Sequence, residues 1–375
     1  MSASIASSIV LSGATGFLGS RLCGELLRGT DTRIHCLVRA ESTAHAAERL
    51  HDALTGLVTV ADLDRVVAVP ADLDRPRLGS SPPDWDAVAR AAGTIFHCAA
   101  SINLGASYEQ SAPTNIGGTN TILALARRRI ELGLPAPRVH AASTIAVFAR
   151  AAAAGMPEVN ETSIPTAACA GTSGYLRTKT EAESILRTAR SSGLDIVIHR
   201  PAIITGDWRT GTTSAEADLL HRFLRASIAL RHYPSRDFRL PIETADTVAR
   251  GMFLAARFGT ATSYHHARDT LLDEAFNALR RTGHILTPVP RTHWYRLIQD
   301  NADDPAVYPA AVLARAAGAV DGASTSLPRF HSDATWAELR AAGLEPPPLD
   351  ANYFDRWIAA LTELGALPTG EFASA

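Results

Sequence analysis

The segment GYLRTKTEAE, residues 174–183, holds Lys179, and every other one of the 36 Lys and Arg residues in the chain is arginine. Lys179 follows Tyr175 by four residues, a spacing that puts both side chains on one face of a helix. A free phenol has a pKa near 10 and donates protons poorly at neutral pH. A neighbouring ammonium favours the phenolate and draws that pKa down, which prepares the pair for proton transfer to or from an oxygen. A compact ammonium can do this while also bonding nearby hydroxyls, and a planar guanidinium is not its equivalent. Upstream, HAASTIAVFA (140–149) ends an apolar run on two hydroxyls. A hydroxyl beside the tyrosine can donate to a carbonyl oxygen and stabilise charge growing there. Thr144 is the expected donor, with Ser143 its close neighbour.

These side chains need a scaffold, and the first 200 residues supply its pattern. SIVLS (8–12), RIHCLV (33–38), VVAV (66–69), TIFHC (94–98), RVHAA (138–142) and DIVIH (195–199) are short apolar runs rich in β-branched residues. Between them, 17–29, 41–56, 114–133 and 176–192 carry apolar residues at helical spacing. Apolar strands alternating with helices predict a parallel sheet covered on both faces, hence an α/β doubly wound (Rossmann) fold. Tyr175 and Lys179 fall in the helix after the fifth strand, and Ser143 and Thr144 at that strand's end. Beyond about residue 205 the rhythm changes to helices at 215–231, 244–257, 269–282, 292–300, 333–342 and 351–363. The expected organisation is a nucleotide-binding domain over 1–206, with 239–260 returning to it, and a smaller, mainly helical substrate region over 207–375.

The first strand runs into GATGFLG, which places Gly13, Gly16 and Gly19 at a strand–turn–helix junction. There a tight turn, a close approach by a pyrophosphate and close helix packing each exclude a larger side chain, and the helix N-terminus supplies amides and dipole. Thr15, Phe17 and Leu18 complete the loop expected against the cofactor. The second strand ends on Arg39, where an NAD site usually has an acid for the ribose hydroxyls. A guanidinium suits a 2′-phosphate, so the reading favours NADPH over NADH, with Arg49 as a second phosphate partner. Asp72, with Leu73 beside it, is placed to accept from the adenine amine. Ala99, Ala100 and Ser101 are small enough to let backbone lie against the nicotinamide ribose. Asn115 is expected to steady either the sheet or the lysine.

Composition narrows the classes. A net charge of -2 provides no concentrated positive field, so nucleic acid is excluded as a partner, and Arg127-Arg128-Arg129 reads as a solvated helix end. Cys23, Cys36, Cys98 and Cys169 form no CxxC pair and read as small buried hydrophobes in a reducing compartment. The thirteen histidines show no metal-ligand spacing, and the adjacent His265 and His266 do not face one ion, so no metal site is expected. No apolar run has the length of a membrane helix and the N-terminus carries no signal-peptide pattern, which predicts a cytoplasmic protein. The start at Met1 with a short N-terminus favours a free-standing enzyme over an excised domain.

Taken together, GATGFLG, Asp72, Thr144 and Tyr175-xxx-Lys179 resemble the extended short-chain dehydrogenase/reductase (SDR) superfamily. Within it, LSGATGFLGSRL, CLVRA, HCAASINL, TNIGGT, HRPAIITGDWRTG and the ending GLEPPPLDANYFDRWIAALTELGALP resemble the thioester reductase domains of nonribosomal peptide and polyketide synthetases and of carboxylic acid reductases. The resemblance runs through nearly the whole chain. It implies NADPH-dependent reduction of an acyl or peptidyl thioester, held by phosphopantetheine on a carrier protein, to an aldehyde or further to the alcohol. Positive charge at Arg209, Arg222, Arg225 and Arg231 would then face the carrier, or simply face solvent. The sequence departs from the family at Thr178 and Thr180, where Ser and Trp are usual around the lysine. It departs again in LPIETAD, which lacks a usual aspartate, and at His331, where an aspartate is common. The alternatives are an extended SDR reductase or epimerase acting on a free ketone or nucleotide sugar, and an NADP-binding sensor without chemistry.

Overall fold

All six apolar runs are strands in the computed structural model, which describes residues 5–6, 8–103, 105–215, 218–235, 238–316 and 327–370. They are β1 (Ser8–Ser12), β2 (Arg33–Val38), β3 (Val66–Pro70), β4 (Thr94–His97), β5 (Arg138–Ala142) and β6 (Asp195–Pro201). A seventh, β7 (Ser263–His266), completes one parallel sheet in the order β7-β6-β5-β4-β1-β2-β3. Ile9, Val10 and Leu11 of β1 are fully buried, which is why these strands read as continuous apolar runs. The strand order reverses between β1 and β4, and in such sheets ligands bind at the carboxyl ends of the strands beside that reversal. Met1 lies outside the described residues, as do parts of the arginine-bearing stretch 207–240.

Helices α1 (Phe17–Gly29), α2 (Thr43–Leu54), α3 (Gly118–Glu131) and α4 (Gly174–Ser191) cover the sheet at the predicted places. α1 buries Leu22, Cys23 and Leu26 with Val248, Ala249 and Met252 of a later helix, α6 (Ala245–Phe258), which follows α5 (Leu220–Leu230). Returning chain therefore includes α6 and β7. Trp336 and Leu339 of the helix Asp333–Ala341 join the same core, so the last third of the chain also contributes to the sheet side.

β7 is hidden in sequence because it is SYHH, a polar string. Its histidines are nonetheless fully buried. On its two faces, His265 meets Arg200 Nη1 at 3.1 Å, while His266 Nε2 meets His199 Nδ1 at 2.9 Å. His199 Nε2 in turn lies 3.0 Å from His140 Nδ1, so three imidazoles on β5, β6 and β7 form a hydrogen-bonded series. The outer nitrogens of that series, His140 Nε2 and His266 Nδ1, have no partner among the described residues.

A second core gathers Phe238, Phe276, Trp294, Tyr353, Phe354 and Trp357 from the C-terminal region. It is built on α5, α7 (Arg291–Asp300), α8 (Tyr308–Ala316), α9 (Ala351–Glu363) and a three-stranded sheet of Ile203–Thr205, Arg239–Thr244 and Arg268–Leu271. α8 was not anticipated from the sequence. Trp294 and Trp357 are fully buried, and truncating either to alanine costs about 3–5 kcal/mol.

Candidate active site

A cavity of about 850 Å³ opens where the strands end. It is lined by Gly13 after β1, Arg39 after β2, Cys98 to Ser101 after β4, Ser143 and Thr144 after β5, and Pro201 and Ala202 at the end of β6. Gly13 has φ +80°, and a Cβ on it would sit 2.6 Å from the Ala99 nitrogen. A Cβ on Gly19 would sit 2.0 Å from the Gly13 carbonyl oxygen. Neither position accepts another residue without moving backbone. Gly16 caps α1 with no side-chain hydrogen bond, and the first turn carries no acid, so its amides and dipole face the cavity uncompensated. That bare cradle, lined also by Thr15, Phe17 and Leu18, suits the pyrophosphate of a dinucleotide.

Arg39 and Arg49 both line the cavity. The Arg39 guanidinium is 3.1 Å from Asp74 and 3.9 Å from Asp72, with its side chain 63% exposed, and Arg49 donates to the Arg39 carbonyl. Leu73 and Asp74 line the cavity and Asp72 does not: its carboxylate accepts from the Asp74 amide at 3.0 Å. Asp74 stands two places along the same loop and pairs with Arg39. Ala99, Ala100 and Ser101 line the cavity as expected. Asn115 is buried behind it, in a single π turn (Pro113–Gly117) before α3. Its amide accepts from the Ser101 nitrogen at 2.8 Å and donates to Thr178 Oγ1 at 3.0 Å. It therefore ties the β4 loop to α4 one residue before the lysine.

α4 begins where Ser173 caps it and where Gly174 presses on the Ser107–Tyr108 backbone, a Cβ there lying 2.4 Å from both. This fixes the start of the helix that carries Tyr175 and Lys179 into the cavity. Lys179 Nζ donates to the Ala142 carbonyl at 2.7 Å, and burial lowers its pKa to about 8, partly opposed by Glu183. The expectation that Lys179 draws the Tyr175 phenol down is corrected: burial dominates and pushes that phenol up. A buried, protonated phenol is the donor form that a reduction needs.

The two adjacent hydroxyls differ in what they do. Ser143 Oγ donates to Glu183 Oε1 at 2.6 Å, which commits its proton. Thr144 accepts from the Ala146 amide at 3.2 Å, which leaves its O–H free to donate into the cavity. Glu183 continues the Tyr175–Lys179 face by four more residues and is fully buried, held by Arg200 at 3.0 and 2.8 Å. The i, i+4, i+8 spacing was visible in sequence and went unread. Cys98 also lines the cavity, but burial pushes its thiol up to about 12, so it is no nucleophile. His97 beneath it is paired with Ser12 at 2.7 Å, and burial lowers it to about 3, leaving it neutral.

Of the departures from the family pattern, Thr178 donates to the Tyr175 carbonyl at 2.8 Å. Thr180 buries a hydroxyl with no hydrogen-bond partner among the described residues. His331 stands 3.5 Å from Glu158. Arg209, Arg225 and Arg231 are exposed and Arg222 is half-buried, while Phe223 of the same helix faces the cavity. Sequence reading took α5 for its arginines and overlooked the i, i+4 pair Leu219 and Phe223.

Residues 11–252 match the model of an NAD-binding family described as "Male sterility protein". The chain belongs to that family. Relatives include a linear gramicidin synthase of Brevibacillus parabrevis, 30% identical over 96% of this chain and 7% of that protein. Isonitrile lipopeptide synthase of Streptomyces coeruleorubidus is 30% identical over 96% of this chain and 25% of its own length. The chain thus spans only a small part of these synthetases. Among solved structures, the terminal R domain of the myxalamid PKS-NRPS pathway superposes with a TM-score of 0.82 at 28% identity, covering 97% of this chain and 92% of that one. A thiolation-reductase di-domain from an archaeal nonribosomal peptide synthetase, 17% identical with a TM-score of 0.79, shares the fold over 97% of this chain and 77% of that one. The chain is thus a member of an NAD-binding family and is similar over nearly its whole length to a terminal R domain. Among the described residues no helix is long and apolar enough to cross a membrane.

Proposed function

We propose that this protein reductively releases an acyl or peptidyl chain from a carrier-protein thioester as the aldehyde, with NADPH as reductant. One observation carries the reading. A single cavity joins the glycine cradle, the Thr144–Tyr175–Lys179 cluster and an apolar wall from the C-terminal region. NADPH bound in the cradle supplies hydride to the thioester carbonyl carbon. Arg39 and Arg49 would hold its 2′-phosphate, and the α1 amides would hold its pyrophosphate. Thr144 and Tyr175 donate hydrogen bonds to the carbonyl oxygen, and the Tyr175 proton passes to it as the hemithioacetal forms. Lys179, anchored on Ala142, would stabilise the tyrosinate left behind and would hold the ribose hydroxyls of the cofactor. Collapse of the hemithioacetal expels the carrier thiol and frees the aldehyde, and a second round of reduction gives the alcohol. The carrier delivers the thioester on its phosphopantetheine arm, with the exposed Arg209 and Arg225 offering charge to its acidic surface. The four free cysteines suit a reducing cytoplasm.

The test is NADPH oxidation with acyl-carrier or acyl-pantetheine thioesters, with products identified by mass and Tyr175→Phe as the control. Turnover of a nucleotide sugar or free ketone, with no thioester accepted, would sink the proposal.

A further inference from the structure

Among the described residues, the charged side chains lining the cavity are Arg39, Arg49, Asp74 and Lys179, and all four come from the N-terminal sheet side. Beyond Thr144 and Tyr175 the wall changes source and character. Leu219, Phe223, Leu240, Leu313 and Phe330 line it from the C-terminal region, with Tyr295 of α7 among them. Among the described residues, nothing this region contributes to the lining carries a charge. Tyr295 packs its ring on Trp294 and near Phe238, and its phenol makes no hydrogen bond among the described residues. Burial holds that phenol protonated, its pKa pushed up to about 12. It can offer one hydrogen bond but no counter-charge. A carboxylate or ammonium entering this space would lose its water and gain no ionic partner from the C-terminal lining among the described residues.

We propose that this C-terminal chamber selects an uncharged, mainly apolar acyl group and rejects acyl chains carrying a free carboxylate or ammonium. The inference rests on the thioester reading for its route into the cavity, and on the chamber's own lining for its selectivity. Hydrocarbon or apolar side chains bury against Phe223, Leu240 and Leu313. The reacting carbonyl stays at Thr144 and Tyr175.

A matched pair tests it. Octanoyl-pantetheine and 7-carboxyheptanoyl-pantetheine have the same length and differ by a methyl against a carboxylate at the far end. With the whole protein and NADPH, kcat/KM is expected to favour the octanoyl thioester by about 100-fold, the scale of an unpaired charge held in an apolar site. In parallel, the two corresponding amide analogues, which cannot be reduced to aldehyde and thiol, are titrated calorimetrically. The octanoyl amide should bind at least about tenfold more tightly. Equal or better use of the carboxylate compound in both assays overturns the inference. If neither thioester turns over while the binding preference stands, the reductive reading falls and the chamber assignment survives. Leu219→Arg, at a half-buried lining position, should narrow the gap by supplying a counter-charge. Should that variant fail to fold, the wild-type pair still decides the matter.

Discussion

At one end of the cavity the wall is backbone and charge: Gly13, Gly16 and Gly19, the α1 amides, Arg39 and Lys179. At the other it is apolar side chain: Leu219, Phe223, Leu240 and Leu313. The first end is built from consecutive residues at strand ends, where a fixed fold presents a fixed set of groups. The second is assembled from α5, the central strand of the three-stranded sheet, α7 and α8, which are far apart in sequence. The difference separates two tasks. Under the proposed function, chemistry and cofactor binding fall to the sheet side, and choice of acyl group falls to the added region. Substitutions at the first end should therefore change rate or cofactor affinity and leave the octanoyl preference untouched.

Tyr175→Phe carries the largest expected effect, a fall in kcat of about 10²–10⁴-fold with NADPH affinity retained, measured by stopped-flow reduction and equilibrium binding. A variant that kept its rate would break the division at its centre. Lys179→Arg comes next, with kcat lowered by about 10²-fold, because a guanidinium does not fit the buried contact with Ala142. pH dependence sharpens the point. The Lys179 pKa is depressed to about 8, so its ammonium is present below that pH and is lost as pH rises through it. The rate assigned to this group should decline above about pH 8. The same depression means that protonated Lys179 costs native stability at low pH, a cost relieved between about 8 and its ordinary value of 10.5. Thr144→Val is expected to lose about 10–100-fold in kcat. Ser143→Ala should instead lower the melting temperature and spare kcat, because its proton already serves Glu183. The smallest effect is on cofactor choice: Arg39→Ala should raise KM for NADPH by about 10-fold and barely alter that for NADH. An equal change in both would remove the phosphate role from Arg39.

The same contrast explains what could be read from the sequence. Six strands and the glycine cradle were legible because period and composition are local signals: SIVLS and RIHCLV became β1 and β2 at their predicted bounds. Tyr175, Lys179 and Thr144 were legible because their spacing relative to those elements is short. β7 was not, since SYHH looks polar, and its burial depends on hydrogen bonds to β6 and the chain beyond it and on Tyr264 packing against Val197 and Ala255. Which of Asp72 and Asp74 lines the cavity was not legible, because two residues in one loop cannot be told apart without knowing how the turn closes. The rise in the Tyr175 pKa was misjudged because the pairwise effect of an ammonium was weighed without the larger effect of burial. The acyl wall was illegible for a more general reason. Its members share no motif and meet only after the C-terminal helices pack.

The imidazole series through His140, His199 and His266 has a consequence of its own. Each ring is buried and held neutral, so each has one nitrogen with hydrogen and one without. Two linked contacts then allow only two tautomer patterns for the whole row, one the reverse of the other. Either the spare N–H emerges at His140 and the bare lone pair at His266, or the two trade places. Three rings therefore behave as a single dipole lying across the sheet with two settings. No ring can turn over its own tautomer without breaking a hydrogen bond or carrying its neighbours with it.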